Sequence, residues 1–351
     1  MKKIAVIGSG FFGSLNAFFL SKKYKIDLYE KQNKLFHGAS KYNQMRYHLG
    51  FHYPRSEKTV NELKLYEKHF KSFFSNQGIF GKTFNYYGIA KNNSKTNYKK
   101  YINFLKKNKL KFKKFRSKDF TQNVQGSIVT NEKILNYFKA KKKILKILKN
   151  KNINILKNKV LKKDNINDYF KIIICAYDQN NYVLKKIGIK PKKKYRYELV
   201  EKILIKLPKR YRNKSYIILD GKFVCVDPFL NTNYHLLSDN KNSKIEISRG
   251  FFPKFKNIKK KYLTKGFSKN KKNSNFRKFI KNGSKYLSFL NHAKFVSTVF
   301  VIRTLELKKE KTDQRTNYVN FVNEKVITVL SGKWNTSVGV AKEIFKKIND
   351  K

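Results

Sequence analysis

The sequence predicts an α/β fold that joins a Rossmann-like nucleotide-binding domain to a discontinuous, mainly antiparallel α+β domain. A glycine-rich strand–turn–helix unit opens the chain, and short apolar strand-like runs recur in the middle and near the C-terminal end. Alternating strand patterns separated by turn residues fill the intervening stretches. The length of 351 residues suits about two domains of ordinary size.

The opening unit carries the most specific pattern in the chain. A short apolar run, KIAVI, is typical of a parallel strand buried on both faces, and a G-x-G-x-x-G pattern follows it at Gly8, Gly10 and Gly13. Gly8 permits a tight turn, Gly10 lets the backbone approach a diphosphate, and Gly13 lets the next helix pack closely on the strand. A second strand ends in Glu30, whose carboxylate can accept both hydroxyls of a ribose. The unit therefore predicts dinucleotide binding, and the acid favours FAD or NAD over NADP.

The formal net charge of +60 raises the alternative of a nucleic-acid-binding protein. The cations are mostly lysines spread along the whole chain, and Asn, Ile, Phe and Tyr are abundant as well. Because base-reading proteins cluster their charge and use arginine, we expect no specific nucleic-acid partner. A nonspecific polyanion-binding α/β protein remains the less favoured alternative.

The two cysteines, Cys175 and Cys225, lie in separate strand-like runs and have neither metal-ligand nor disulfide spacing. They suit a reducing cytoplasm, so we expect a cytoplasmic protein without a metal site. No apolar run reaches the roughly 18–20 residues that span a bilayer. The sequence thus predicts no transmembrane segment and leaves peripheral membrane contact open.

The segment after Glu30 distinguishes FAD from NAD. Residues 38–53, GASKYNQMRYHLGFHY, are polar and aromatic and do not continue an NAD-type series of strands and amphipathic helices. The segment resembles the D-amino-acid oxidase-like superfamily of FAD-dependent oxidoreductases, especially its L-2-hydroxyglutarate oxidase and glycine oxidase branch. Matches to the family's A-S-x-x-N loop and I-H-x-G run fall at Ala39, Ser40, Asn43, His48 and Gly50.

The resemblance continues downstream and implies FAD as the cofactor. A strand ending at Val160 would bracket the adenine, and Ala176 would end a strand near the cofactor, although Tyr177 and Asp178 follow where the family has a glycine. A loop at residues 331–336 and a final helix would face the flavin and stabilise negative charge on its reduced form. The predicted FAD-binding residues are Gly8, Gly10, Phe11, Phe12, Gly13, Glu30, Lys31, Ser40, Asn43, Val160, Ala176, Gly332, Lys333, Trp334 and Asn335.

The same resemblance predicts the domain organisation. Residues 1–60, 126–190 and 320–351 would form the FAD-binding domain, and residues 61–125 and 191–319 would form the substrate domain. Asp220-Gly221 predicts a hairpin turn inside the second insertion.

The family activity implies hydride transfer from a small amino or hydroxy acid to flavin N5. A carboxylate substrate favours an arginine fork, for which Arg46 and Arg55 beside the flavin-proximal loop and Arg303 and Arg315 near the last strand are candidates. His48 is the candidate general base. The role of His52 stays open. The predicted catalytic residues are His48, Arg46 and Arg303.

Other activities remain as alternatives. A flavoenzyme acting on a sugar or nucleotide-sugar could use stacking platforms in the tyrosine-rich middle of the chain, at Tyr195, Tyr197, Tyr211, Tyr216 and Tyr234. An NAD-dependent dehydrogenase would need more strand–helix repeats after residue 30 than the sequence offers. The sequence leaves the substrate, the electron acceptor and the oligomeric state undetermined.

Overall fold

A computed structural model describes residues 1–75, 78–309 and 311–350. The strands are β1 (Lys3–Ile7), β2 (Lys25–Glu30), β3 (Phe80–Gly81), β4 (Phe84–Ala90), β5 (Phe112–Lys114), β6 (Val124–Thr130), β7 (Ile134–Leu135), β8 (Ile153–Lys157), β9 (Lys171–Ile174), β10 (Tyr195–Lys206), β11 (Lys214–Leu219), β12 (Val224–Phe229), β13 (Tyr234–Asp239), β14 (Lys244–Gly250), β15 (Lys294–Glu306), β16 (Tyr318–Phe321) and β17 (Val326–Leu330). The helices are α1 (Phe11–Leu20), α2 (Glu57–Phe74), α3 (Tyr98–Lys107), α4 (Tyr137–Ile147), α5 (Asn180–Lys186), α6 (Phe276–Gly283) and α7 (Ser337–Asn349). Among these helices, none combines the length and apolar character that crossing a bilayer requires.

The first sheet has the strand order β16-β17-β9-β1-β2-β8 and is parallel except for the pairing of β16 with β17. Its central strands are apolar on both faces because helices cover both. Ile4 and Val6 of β1 pack with side chains of α1, α2, α4 and α7, whereas Ala5 and Ile7 pack on the opposite face with Leu184 of α5. This is the buried parallel sheet that the apolar run of β1 predicted.

The second sheet has the order β14-β10-β13-β12-β11-β4-β6-β5, with β15 as a long antiparallel partner of β10. Adjacent strands of this sheet are antiparallel, except that β4 and β11 are parallel to each other. The predicted hairpin at Asp220-Gly221 joins β11 to β12, where Tyr216 lies opposite Val226. The predicted α/β class, with a Rossmann-like part and a mainly antiparallel part, is confirmed.

Several boundaries differ from those expected. β6 belongs to the second sheet, so the chain returns to the first sheet after residue 130 and not at residue 126. α2 packs its buried Phe70 and Phe74 into the core of the first sheet, although its residues were expected to open the first insertion. In the second insertion, α6 ends at Gly283, and a short 3₁₀ turn, Ser288–His292, follows. Position in the chain does not reveal which sheet an amphipathic helix covers.

Gly13 fixes the distance between α1 and β1. A Cβ added at Gly13 would lie 1.7 Å from the Gly8 carbonyl oxygen, which is backbone and has no side-chain freedom to move away. We therefore expect Gly13→Ala to lower the free energy of unfolding by about 3 kcal/mol, as overpacked cores do. Urea unfolding of the cofactor-free protein measures this change. Gly38→Ala is the matched control, since nothing lies within 4 Å of a Cβ there, and equal stability of the two variants would contradict the packing role of Gly13.

Candidate cofactor and substrate site

A cavity of about 480 Å³ opens at the carboxyl ends of β1, β2 and β9. Its lining runs from residues 7–12 past Glu30 to the loop at residues 38–43 and on to Gly332 and Trp334. Parallel strands that end at one edge of an open α/β sheet form the usual crevice for a nucleotide. We call this space the first cavity.

The glycine turn brings bare backbone to the wall of the first cavity. Gly8 has a φ of +100° and lies so close to β9 that an added Cβ would be 2.7 Å from the Cys175 carbonyl oxygen. A Cβ at Gly10 would be 2.7 Å from the Ser40 hydroxyl oxygen. That hydroxyl accepts a hydrogen bond of 3.2 Å from the backbone N–H of Phe11, at the start of α1. The N-terminus of α1 and the Ser40 hydroxyl thus converge where a diphosphate would bind.

Glu30 ends β2 in the first cavity, with its carboxylate held by neighbouring groups. Its Oε2 accepts hydrogen bonds from the Ser9 hydroxyl at 2.5 Å and from the Ser9 N–H at 3.3 Å, and its Oε1 accepts one from the Gln32 N–H at 2.9 Å. A carboxylate that has a fixed position beside the glycine turn matches the place of the ribose acid in dinucleotide-binding proteins.

A second cavity of about 400 Å³ adjoins the first. The two share Ala39, Asn43, Tyr177, Ser331 and Gly332 in their linings. The floor of the second cavity is a face of the second sheet. A group bound at the shared wall therefore contacts both the nucleotide crevice and the sheet floor.

Arg46 lies beside the second cavity and is already paired. Its Nε and Nη2 donate to the two carboxylate oxygens of Asp227 at 3.2 and 2.6 Å, and both side chains are buried. Its Nη1 contacts Nδ1 of His52 at 3.2 Å. Because a guanidinium only donates, Nδ1 of His52 accepts this bond and the proton of the neutral ring lies on Nε2. The pKa of His52 is held well below 6.5 by burial and by Arg46.

His48 lies in the lining of the second cavity and is buried. Burial and the nearby cations Lys333 and Arg46 hold its pKa well below 6.5, so the ring is neutral at neutral pH. Its Nδ1 has no hydrogen-bond partner among the residues that the structure describes. Its backbone carbonyl accepts a hydrogen bond of 3.0 Å from Asn335, which ties the histidine to the loop before α7.

The sheet floor carries a mixed set of charges. Glu198 accepts from Nε of Arg303 at 2.6 Å and pairs with Nη2 of Arg196 at 2.7 Å. The ammonium of Lys202 donates to the Tyr42 carbonyl oxygen at 2.6 Å. Burial lowers the pKa of Lys202 to about 7. Lys333, whose ammonium lies 4.8 Å from the centre of the Tyr53 ring, has its pKa lowered to about 7 for the same reason.

Comparisons with known proteins agree with this geometry. Residues 6–66 match the family model of the NAD(P)-binding Rossmann-like domain. An FAD-dependent monooxygenase of Fusarium mangiferae is 39% identical over 57 residues, an alignment that covers 16% of this chain and 15% of the monooxygenase.

Solved structures match over nearly the whole chain. Glycine oxidase of Geobacillus kaustophilus superposes with a TM-score of 0.71 at 9% identity, covering 100% of this chain and 94% of the oxidase. L-proline dehydrogenase of P. horikoshii gives 0.72 at 13% identity, with 99% and 93% covered. L-α-glycerophosphate oxidase of Mycoplasma pneumoniae, solved with FAD bound, gives 0.73 at 14% identity, with 99% and 95% covered. The chain has the fold of the D-amino-acid oxidase-like flavoenzymes.

The D-amino-acid oxidase-like fold brings most of the predicted cofactor residues to the first cavity. Those in its lining are Gly8, Gly10, Phe11, Phe12, Glu30, Lys31, Ser40, Asn43, Val160, Ala176, Gly332 and Trp334. Gly13 lies beneath the cavity, Lys333 lines the second cavity, and Asn335 is bonded to His48. Their contacts with FAD stay predictions.

The three predicted catalytic residues all line the second cavity, but Arg46 and Arg303 already hold carboxylates. The stacking platforms suggested for a sugar substrate are not where that hypothesis needs them. Tyr195, Tyr197, Tyr211 and Tyr216 are buried in the hydrophobic core, and Tyr234 packs beside it.

The sequence did not point to Glu132. This buried carboxylate accepts the Leu49 N–H at 2.7 Å and the Tyr87 hydroxyl, and so holds the backbone next to His48. Burial raises the pKa of Glu132 to about 7. The sequence did not single out Lys202 either, because lysines are abundant throughout this chain. It did not single out Asp227 because this partner of Arg46 lies 181 residues further along the chain. Across residues 1–75, 78–309 and 311–350, no three His, Cys, Asp or Glu side chains gather as metal ligands.

Proposed function

We propose that the protein is an FAD-dependent oxidoreductase that oxidises a small amino or hydroxy acid. The observation that carries this proposal is the pair of adjoining cavities. One presents the glycine turn and the ribose acid, the other presents neutral histidines and cations, and five residues line both. The fold of glycine oxidase and L-proline dehydrogenase supports a substrate of this class.

The residues of the first cavity fit FAD. Gly8 and Gly10 let the turn pack closely against Cys175 and Ser40, so that its backbone lines the cavity where a diphosphate would bind, and the Glu30 carboxylate suits a ribose diol. The indole N–H of Trp334 is buried, has no partner among the described residues and belongs to the lining of this cavity. A donor without a partner in that position can serve an acceptor atom of the cofactor.

When bound, FAD supplies the acceptor for a hydride from the substrate carbon. The protein has to hold that carbon and remove a proton from its hydroxyl or ammonium group. His48 is the proposed general base, since its imidazole is neutral and lines the second cavity. Since Nδ1 is buried, we propose that Nε2 is the ring nitrogen that takes the proton, with Nδ1 carrying the proton of the neutral ring.

His52 has a different proposed part in the same site. Arg46 fixes its proton on Nε2, so His52 donates a hydrogen bond and does not take a proton. A donor of this kind suits a carboxylate or carbonyl oxygen of the substrate. By taking the proton of the hydroxyl or ammonium group, His48 would prepare a hydroxy acid for oxidation to a keto acid, or an amino acid for oxidation to an imino acid, with FAD supplying the electron acceptor.

The proposal predicts a yellow holoprotein. Protein refolded or reconstituted with FAD is expected to retain the flavin through desalting and to show the visible absorption band of bound flavin. Anaerobic addition of the correct amino or hydroxy acid is then expected to bleach that band. Glu30→Ala is expected to weaken FAD binding about tenfold to a hundredfold by removing the acceptor of the ribose hydroxyls. Glu324→Ala, at an exposed turn, is the control. A wild-type protein that stays colourless with excess FAD would refute the proposal.

A further inference from the structure

We propose that the substrate carries two anionic groups, and that the second one binds Lys202 and Lys244 on the sheet floor of the second cavity. This inference rests on the proposed function and adds the charge of the substrate to it. The second group is a carboxylate or a phosphate, since both offer charged oxygen acceptors to an ammonium.

The lining of the second cavity has a large excess of positive charge. Among residues 1–75, 78–309 and 311–350, the lining includes eleven lysines and arginines and five aspartates and glutamates. A cavity with low-dielectric walls and one dominant sign of charge concentrates anions. Lys95 and Lys222 of this set are exposed, whereas Lys202, Lys244 and Lys333 are partly buried, which distinguishes these three from the lysines on the protein surface.

The arginines and the lysines of the second cavity differ in whether they form ion pairs with carboxylates. Arg46, Arg55 and Arg303 are each bonded to a carboxylate, respectively that of Asp227, Asp220 and Glu198. By contrast, no carboxylate oxygen of the described residues lies within 4 Å of the ammonium of Lys202, Lys244 or Lys333. The arginines are therefore neutralised by the protein, and the lysines are the cations that a bound anion would neutralise.

The sheet register places two of these lysines close together. Lys244 at the start of β14 lies opposite Val200 of β10, and Val200 and Lys202 share one face of that strand. Lys244 and Lys202 are thus diagonal cross-strand neighbours, with backbones about 7–8 Å apart. Side chains as long as lysine can converge from this spacing on one carboxylate or phosphate.

Lys333 is the proposed contact for the first anionic group, at the other end of the substrate. It follows Ser331 and Gly332, which line both cavities, and it lies near enough to His48 to depress the pKa of that ring. A first carboxylate near Lys333 and His52 would hold the reacting carbon beside His48. The second anionic group would then reach the floor lysines.

Burial weakens the ammonium form of both floor lysines more than the nearby carboxylates Glu198 and Asp227 strengthen it. The pKa of Lys202 is lowered to about 7 and that of Lys244 is lowered as well, in both cases mainly by burial. A bound anion offsets this penalty, so a dianion should bind together with protons when the pH is above 7. The preference for a dianion should decline as the pH rises further, because the lysines then lose their charge.

Calorimetric titration with matched pairs of non-substrate acids tests the proposal. Glutarate is compared with pentanoate, and phosphoglycolate with glycolate, in moderate salt and with the FAD-loaded protein. We expect each dianion to bind about tenfold more tightly than its monoanion, which corresponds to one additional charge-assisted contact. The pair with the larger difference identifies the second group as carboxylate or phosphate.

Variants on one strand give the control. Lys202→Met and Lys244→Met should each reduce the dianion preference to about threefold or less, and Lys202→Arg should keep part of it. Lys206→Met, an exposed lysine on the same strand, should leave it unchanged. Equal affinity of the wild-type protein for the dianion and the monoanion of each pair would overturn the proposal. A dianion preference that survives in both Lys202→Met and Lys244→Met would also overturn it, and so would an equal loss of that preference in Lys206→Met. If FAD does not bind, the proposed function fails, and the same titrations of cofactor-free protein still measure the lysine site.

Discussion

Replacing His48 by Asn is expected to lower kcat by about a hundredfold to ten-thousandfold while the protein still binds FAD. General bases contribute a factor of that size, and Asn keeps much of the shape of the ring without a group that can take a proton at neutral pH. The carbonyl of His48, to which Asn335 is bonded, remains in the variant. Anaerobic single-turnover reduction with the identified substrate measures the chemical step directly.

The pH dependence of that step follows from the lowered pKa of His48. The ordinary value is 6.5, and burial moves the pKa well below it, so the base is lost only when the pH falls through this lower value. The acidic limb of the wild-type rate profile should therefore lie below pH 6.5. It should be absent from His48→Asn, whose small residual rate has no histidine to titrate.

Two further variants separate the base from its surroundings. His292→Asn changes an exposed histidine and should leave kcat unchanged. His52→Asn removes a donor and should raise KM more than it lowers kcat, because the donor binds a substrate oxygen in both ground and transition states. A His48→Asn variant that keeps kcat within a few-fold of the wild-type value would show that another group takes the proton.

The parts of this protein that the sequence predicted are local in the chain. The glycine turn, α1 and Glu30 lie within 30 consecutive residues, where strand period, glycine spacing and a terminal acid reinforce each other. The same holds for the hairpin at Asp220-Gly221, whose turn residues are adjacent in the chain. Such features need no knowledge of the distant chain.

The parts that the sequence did not predict depend on distant pairings. β4 lies parallel to β11, more than a hundred residues away, and this pairing joins both insertions in one sheet. Arg46 looked like a substrate ligand because arginine is scarce here, but the fold places Asp227 against it. The local sequence around Arg46 or Asp227 does not reveal that these two residues form an ion pair. The pair forms because the fold brings the two distant segments together.

The largest effect on stability outside the glycine turn is expected at this buried ion pair. Arg46→Ala should lower the free energy of unfolding by about 3–5 kcal/mol, because Asp227 would keep its charge in the core with Ser215 as the bonding partner that remains. The exposed fractions of the two side chains are 2% and 0%, so the pair is shielded from bulk water in the intact protein. Urea unfolding at a fixed FAD concentration measures the change.

Two comparisons test whether the unpaired charge of Asp227 causes the loss of stability: one with a surface ion pair and one with a variant that lacks both charges. Lys107→Ala breaks a pair with Glu57 whose side chains are 72% and 56% exposed, and it should change stability by less than about 1 kcal/mol. Arg46→Met combined with Asp227→Asn removes both charges, so it should recover a large part of the stability that Arg46→Ala loses. If the double variant were as unstable as the single one, packing around Arg46 and not the stranded charge would account for the loss. The recovered variant would still lack the donor that fixes the proton of His52, so its KM should remain raised even though its fold is restored.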